Sequence, residues 1–302
     1  MRKIMLVAAC MAMTSTIFAC DICGCGGGNF YLGLLPKFQH RFFGVRYQYM
    51  HTFTQLTSDP TQFSRNEYHT IEFWSGWNIG SKWQVLAFVP YHMNKQVDDD
   101  SAFTKNGLGD ITLLANYQLL HTRKVHSNNT AVEHELWIGG GIKVPTGKFD
   151  ANVNDPNITV ADVNAQLGTG STDFILNTMH NVSIGRFGVN TTANYKINTS
   201  RDGYRFGNKF TASSVAFYRL RWNGVAISPN AGISYENSAA NTLHAQNVAF
   251  TGGYIASVVT GVEVAINRVA IGFSMQNPVA QDYAQNQTQL KWRGLVHLSL
   301  AL

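Results

Sequence analysis

After Cys25 this chain of 302 residues has no further cysteine, and the four it contains are crowded at positions 10, 20, 23 and 25. A disulfide framework spread through the fold is therefore excluded. Charge is also scarce: charged residues make up 14% of the chain, and the formal net charge of +5 is distributed without a basic block. That pattern excludes a nucleic-acid partner from the expected functions. Beyond the N-terminal segment no run approaches roughly eighteen consecutive apolar residues, which rules out a helical membrane protein. What the chain does have is an ordinary 45% hydrophobic content, many Gly, Asn, Ser and Thr residues, and a strong alternation of apolar with polar side chains.

The first nineteen residues run from a charged start, Arg2 and Lys3, through an apolar stretch from Ile4 to Phe18, to the small residue Ala19. This is the pattern of a secretory signal peptide, and removal after Ala19 would take Cys10 with it. Cys20, Cys23 and Cys25 then open the exported chain as "CDICGC", followed by Gly26 to Gly28. Two readings of these cysteines stand side by side. In one, Cys20 pairs with Cys23 or Cys25, or carries a lipid, since Ile17-Phe18-Ala19-Cys20 loosely resembles a bacterial lipobox with a bulky Phe18. In the other, the thiolates capture a soft or borderline metal, copper(I) or zinc. The barrel described next requires no cofactor of its own.

Alternation is clearest in "VAIGFSMQ", where Val269, Ile271, Phe273 and Met275 oppose Ala270, Gly272, Ser274 and Gln276. Successive side chains of a strand point to opposite faces, so this is an amphipathic strand. In "FGVNTTANYKIN" Phe187, Val189, Ala193, Tyr195 and Ile197 oppose Asn190, Thr192, Asn194, Lys196 and Asn198. The polar face is small and rich in amides and hydroxyls, unlike the charged outer face of a water-soluble sheet or lipocalin-like barrel. Twelve such runs can be counted, at 38–51, 68–79, 83–93, 107–120, 134–147, 170–184, 187–199, 206–221, 224–237, 250–266, 268–277 and 289–302. Short connectors such as 79–82, 185–187, 222–224 and 267–268 take turns with long polar ones, and only 121–133 is longer than its place in that alternation predicts.

An even strand number, alternating faces, and short turns at one end against long loops at the other define an outer-membrane barrel. The expected fold is thus all-β, a 12-stranded antiparallel transmembrane barrel over 38–302, preceded by a signal peptide at 1–19 and a cysteine- and glycine-rich periplasmic segment at 20–37. Aromatics near strand ends, among them Tyr49, Trp77, Trp83, Tyr91, Tyr117, Trp222, Tyr235, Tyr254 and Trp292, fit interfacial girdles. The expected partners are outer-membrane lipids, a small-molecule solute and the barrel-assembly machinery, which would read the terminal strand "WRGLVHLSLAL". A monomer in the bacterial outer membrane is expected.

Three stretches, "NGLGDITLLANYQLL" (106–120), "GGGIKVPTGKFD" (139–150) and "LGTGSTDFIL" (167–176), resemble in order and spacing a family of outer-membrane barrels named for the meta-cleavage pathway of phenol degradation and regarded as transporters. The resemblance implies a barrel that admits small hydrophobic or aromatic compounds. The CDICGC leader is outside that pattern and looks like one found on exported barrels of Bacteroidetes-type bacteria. Within the shared motifs, Gly107, Gly109, Gly168 and Gly170 suit tight bends at a barrel rim. Asp110 and Asp173, each opening a strand, either shape that rim or contact a solute or ion.

Assigning the polar set to the interior puts Arg46, Glu72, Asp110, Lys143, Asp173, Lys196, Arg219, Arg221, Glu236, Glu263, Lys291 and Arg293 inside. The lumen and selectivity candidates among them are Arg46, Glu72, Asp110, Asp173, Arg219, Arg221, Lys291 and Arg293. Lys291, Arg293 and Arg46 are expected on neighbouring strands in the outer half, with Glu72 and Asp110 at a similar height, as one cross-lumen ion-pair network. Balanced signs predict weak charge selectivity. No catalytic residue is expected: His180, His297 and Ser299 have no nucleophile motif around them.

Overall fold

A computed structural model describes residues 41–55, 63–98, 102–126, 130–153, 155, 163 and 166–302. The expected signal peptide, the expected 20–37 segment and Cys20, Cys23 and Cys25 lie outside the described residues. In chain order the strands are β1 (Phe42–Gln55), β2 (Phe63–Ile79), β3 (Trp83–Asp98), β4 (Ala102–Leu108), β5 (Ile111–Val125), β6 (Ala131–Val144), β7 (Asp173–Ile184), β8 (Phe187–Ile197), β9 (Ser200–Arg201), β10 (Tyr204–Arg205), β11 (Lys209–Tyr218), β12 (Leu220–Trp222), β13 (Val225–Ser238), β14 (Thr242–Leu243), β15 (Gln246–Asn247), β16 (Gly253–Ile266), β17 (Val269–Tyr283) and β18 (Thr288–Ala301). Twelve of these, β1, β2, β3, β5, β6, β7, β8, β11, β13, β16, β17 and β18, pair antiparallel in sequence. β1 also pairs with β18, which closes the barrel and leaves no edge among these strands.

The twelve runs expected from alternation correspond one to one with these strands, and the departures lie at the ends. β2, β3 and β17 continue above the apolar band into polar sequence, and the expected loop 94–106 is instead a β3–β4 hairpin with His92 opposite Gly107. The long connector at 121–133 is mostly hairpin: β5 and β6 stay paired down to Val125 and Ala131. Backbone pairing outlasts the hydrophobic signal at these ends because the ladder needs hydrogen bonds, not apolar side chains. At one end of the barrel the turns are tight. Trp222-Asn223-Gly224-Val225 is one of them, with φ of 46° at Asn223 and 82° at Gly224, the left-handed pair that a two-residue hairpin requires. Short turns mark the periplasmic end, which also holds residues 41 and 302.

The outer surface is apolar around the whole circumference. Val45, Phe73, Leu113, Ile138, Leu176, Ile233, Phe273 and Leu298 each expose more than a third of their surface. Tyr49 packs on Trp292, Trp83 on Tyr117 and Tyr235 on Tyr254, with ring centroids 4.6, 5.1 and 6.2 Å apart. Trp83 and Tyr91 stand eight residues apart on β3. At about 3.3 Å per residue and a tilt near 40°, that separates them by roughly 20 Å along the barrel axis, close to the height of a membrane-barrel apolar band. Among the described residues no helix is long and apolar enough to cross a membrane. The strands make the crossing.

At the outer end the loops form a cap. Phe149, Val153 and Val163 from the 145–172 segment pack with Tyr204 and Phe206, with Leu243 and Val248 against them. Beside this cluster β9, β10, β14 and β15 build a small four-stranded sheet.

Candidate functional site: the lumen and its mouths

The inward face divides into two sectors. Along β1 to β7 it carries one buried apolar cluster of Phe42, Trp74, Leu86, Phe88, Leu114, Trp137, Ile175 and Met179. Along β8 to β18 its buried residues are mixed: Asn190, Thr192, Ser228, Asn230, Ser257, Ser274 and Gln276 stand among Val215, Phe217 and Val259. Ile255, Tyr283, Ala284 and Leu290 join Met50 and Tyr68 of β1 and β2 in a second apolar cluster. Large side chains lie across the wall over inward glycines. A Cβ at Gly44 would overlap Trp74, and one at Gly76 would overlap Phe42. Alternation alone assigns apolar residues to the lipid face and does not predict this inward cluster. Its trace in the sequence is "VLAFVP" on β3, which is apolar on both parities: Val85, Ala87 and Val89 half-exposed, Leu86 and Phe88 buried.

Polar atoms are held within that apolar sector. The indole N–H groups of Trp74 and Trp137, the amide of Asn116 and the Asn177 carbonyl oxygen are buried and have no hydrogen-bond partner among the described residues. Asn116, Gly139 and Asn177 are in register on three consecutive strands, so both amides meet above the glycine.

The charged residues form separate groups. At the outer rim Lys143 lies between two carboxylates, 2.5 Å from Asp110 Oδ2 and 2.8 Å from Asp173 Oδ2. Asp110 Oδ1 accepts from the Gly147 N–H at 2.9 Å, and its Oδ2 from the Thr169 N–H at 2.8 Å. Asp173 Oδ1 accepts from Ser171 Oγ at 2.8 Å and from the Thr199 N–H at 3.0 Å. Every oxygen of the two aspartates is engaged, and the three family-like stretches meet in this one knot. It ties the 145–172 segment to β5, β6 and β7. Gly170, with φ of 71°, takes the left-handed turn, whereas Gly168 is small because a Cβ there would strike Asp110. Lys105 adds a tie from the β4 hairpin, donating to Gln166 Oε1 at 2.5 Å.

The second group spans the outer half. Arg293 on β18 donates to Glu236 Oε1 on β13 at 2.5 Å, across the intervening β17 and β16, and to Gln276 Oε1 at 2.8 Å. Lys209 closes on the other oxygen of Glu236 at 3.0 Å. The third group is nearer the periplasm: Arg46 pairs with Glu72 on the neighbouring strand, and its guanidinium lies over the rings of Trp74 and Phe88, 5.4 and 5.1 Å from their centroids.

Two expectations are corrected here. Arg46 is in register with His297, four residues further down β18 than Arg293, so it sits below the outer half and the single network resolves into distinct groups. Lys291 does not face the lumen. His51 pairs with Trp292 while Thr52 pairs with Leu290, leaving Lys291 as the extra residue of a bulge. The bulge reverses parity, so Lys291 is exposed, donates to Gln289 and lies over the Phe53 ring. Arg219 and Arg221 stand at the periplasmic mouth, Arg219 half-buried and Arg221 exposed.

His297 Nε2 meets Glu263 Oε1 at 2.8 Å, and Ser299 Oγ lies 3.4 Å from His297 Nδ1. A Cβ at Gly272, between them in the sheet, would overlap both His297 and Glu263. The serine contact is at the limit of a hydrogen bond. The arrangement ties β18 to β16. His180 is remote from it, stacked on His134 of the adjacent strand at 6.2 Å.

A closed twelve-stranded barrel with an apolar exterior, aromatic girdles and a partly charged interior defines an outer-membrane-type transmembrane β-barrel. Known folds agree. The chain is similar to the crystal structure of an outer membrane channel from Pseudomonas putida F1, at 12% identity and a TM-score of 0.58, over 87% of this chain and 96% of that one. It is also similar to the β domain of the Bordetella autotransporter BrkA, at 10% identity and a TM-score of 0.51, over 87% of this chain and all of that one. No family model and no curated protein sequence matches it.

Proposed function

We propose that the barrel is a channel or transporter for small molecules, and that its preferred solutes have an apolar or aromatic body bearing a single polar group. The observation that carries this reading is the apolar sector of the inner wall with its unpartnered indole and amide groups. Eight buried aromatic and aliphatic residues face inward there and pack on one another. Ligand sites of this chemistry combine apolar walls with a few convergent polar groups. The channel function of the Pseudomonas barrel, and the resemblance of 106–120, 139–150 and 167–176 to the phenol-degradation family, support the same direction.

Planar-bilayer recording and liposome uptake test it. Purified protein should give small conductance steps and admit a simple phenol faster than a polyol of similar size. Leu114→Asn, similar in branching but smaller and polar, should lower that preference several-fold while the barrel stays folded by heat-modifiable electrophoresis. Equal entry of phenol and polyol in both proteins would sink the solute assignment. The same recordings without residues 20–28 test a gating role for CDICGC: a changed open probability supports a periplasmic gate, and an unchanged one removes it.

A further inference from the structure

The periplasmic end of the β5–β6 hairpin brings together three metal-ligating side chains that the channel reading leaves unused. β5 alternates regularly down to Gln118, opposite Trp137, and the next registered pair is Leu120 with Leu136. Leu119 is therefore a bulge, and parity reverses below it. Unbroken alternation would have turned His121 to the lipid. The bulge turns it to the lumen side, opposite Glu135, with Glu133 two residues away on the same face of β6.

His121 Nε2 is 3.3 Å from Glu133 Oε1 and 3.9 Å from Glu135 Oε1. One donor atom from each residue falls within 4.8 Å of the others. Ligands bound at about 2.0–2.2 Å around a tetrahedral zinc stand roughly 3.3–3.6 Å apart, so small side-chain rotations bring this trio to bonding geometry. Glu135 is buried, and Asn181 on β7 donates to its other oxygen, Oε2, at 3.4 Å. That contact leaves Oε1 directed at His121, as an outer-shell partner does for a ligating carboxylate. Two arginines border the site. Arg123 is in register with Glu133, and Arg219 lies within its electrostatic reach, yet among the described residues neither closes to ion-pair distance of these carboxylates.

We propose that His121, Glu133 and Glu135 form a zinc-class divalent metal site at the periplasmic mouth, with a fourth coordination position open toward the mouth. One nitrogen and two carboxylate oxygens suit Zn²⁺ and disfavour copper(I), which wants sulfur. The three ligands are too few for a calcium cage. Bound there, the ion joins β5 to β6 just below the bulge, where the sheet is locally irregular.

The test uses the full chain with Cys10, Cys20, Cys23 and Cys25 replaced by serine, so that thiolates contribute nothing. Zinc is measured by equilibrium dialysis, and the unfolding midpoint is followed with and without it. One zinc per chain and a zinc-dependent rise in the midpoint are expected. His121→Asn and Glu135→Gln should each weaken binding by at least about tenfold and abolish the rise, with Asn181→Ala giving roughly a tenfold loss through orientation alone. Absence of stoichiometric zinc from the cysteine-free protein, or binding unchanged in His121→Asn and Glu135→Gln, overturns the site.

Discussion

The two sectors of the barrel wall present the same face to the membrane and different faces to the lumen. Outside, Ile138 on β6 and Phe273 on β17 are equally typical apolar residues, exposed to 43% and 48%. Inside, β1 to β7 gather Trp74, Phe88, Leu114 and Trp137 into one apolar cluster, whereas most of β8 to β18 interleaves Val215, Phe217 and Val259 with Asn190, Thr192, Ser228 and Ser274. Lipid imposes one requirement on every strand, while the interior is free to vary. The inner asymmetry is therefore where solute preference can be built without disturbing insertion.

The comparison can be broken most forcefully at the rim. Lys143→Met leaves Asp110 and Asp173 buried beside each other without their shared cation. A loss of about 3–5 kcal/mol in denaturant unfolding is expected, with the 145–172 segment opened to protease. A loss under about 1 kcal/mol would mean that the knot is not what holds this segment. Next, Leu114→Ala in the apolar sector should cost about 2–5 kcal/mol if that sector is packed as a core. The same variant should raise single-channel conductance, because it removes bulk from the wall.

Outside, the sectors should be indistinguishable. Ile138→Arg and Phe273→Arg are each expected to cost about 2–4 kcal/mol, depending on depth, and a large difference between them would show that one lies outside the apolar band. The smallest effect belongs to the mixed sector. Ser213→Ala removes a 2.8 Å hydroxyl pair with Thr192 and should cost only about 0.5–1.5 kcal/mol.

Much of this architecture was legible in the residues before any coordinate. Val269 to Gln276 shows its two faces plainly, and Asn223-Gly224 marks its hairpin. The charged interior was legible only in part. Parity put Glu236, Arg293, Lys143 and Asp173 inside, but parity fails wherever a bulge intervenes, as at Lys291 and Leu119. Nothing local in "QLKWRG" or "YQLLHT" announces the extra residue, because a bulge is set by how two strands must meet. His121 was hidden for that reason, and it and Glu133 lie within the 121–133 stretch that reads as a connector, whereas Glu135 falls in the expected strand 134–147.

By itself, then, the sequence determined the strand count, the two faces of each strand and the end at which the turns are short, since all three follow from a period of two interrupted by turn residues. The tertiary structure alone decided which inward residues meet. Arg293 and Glu236 lie 57 positions apart in the chain, and Asp110, Lys143 and Asp173 come from three different stretches. Such partnerships depend on register, bulges and barrel closure, which are properties of strand pairs around a ring and are not encoded within any single strand.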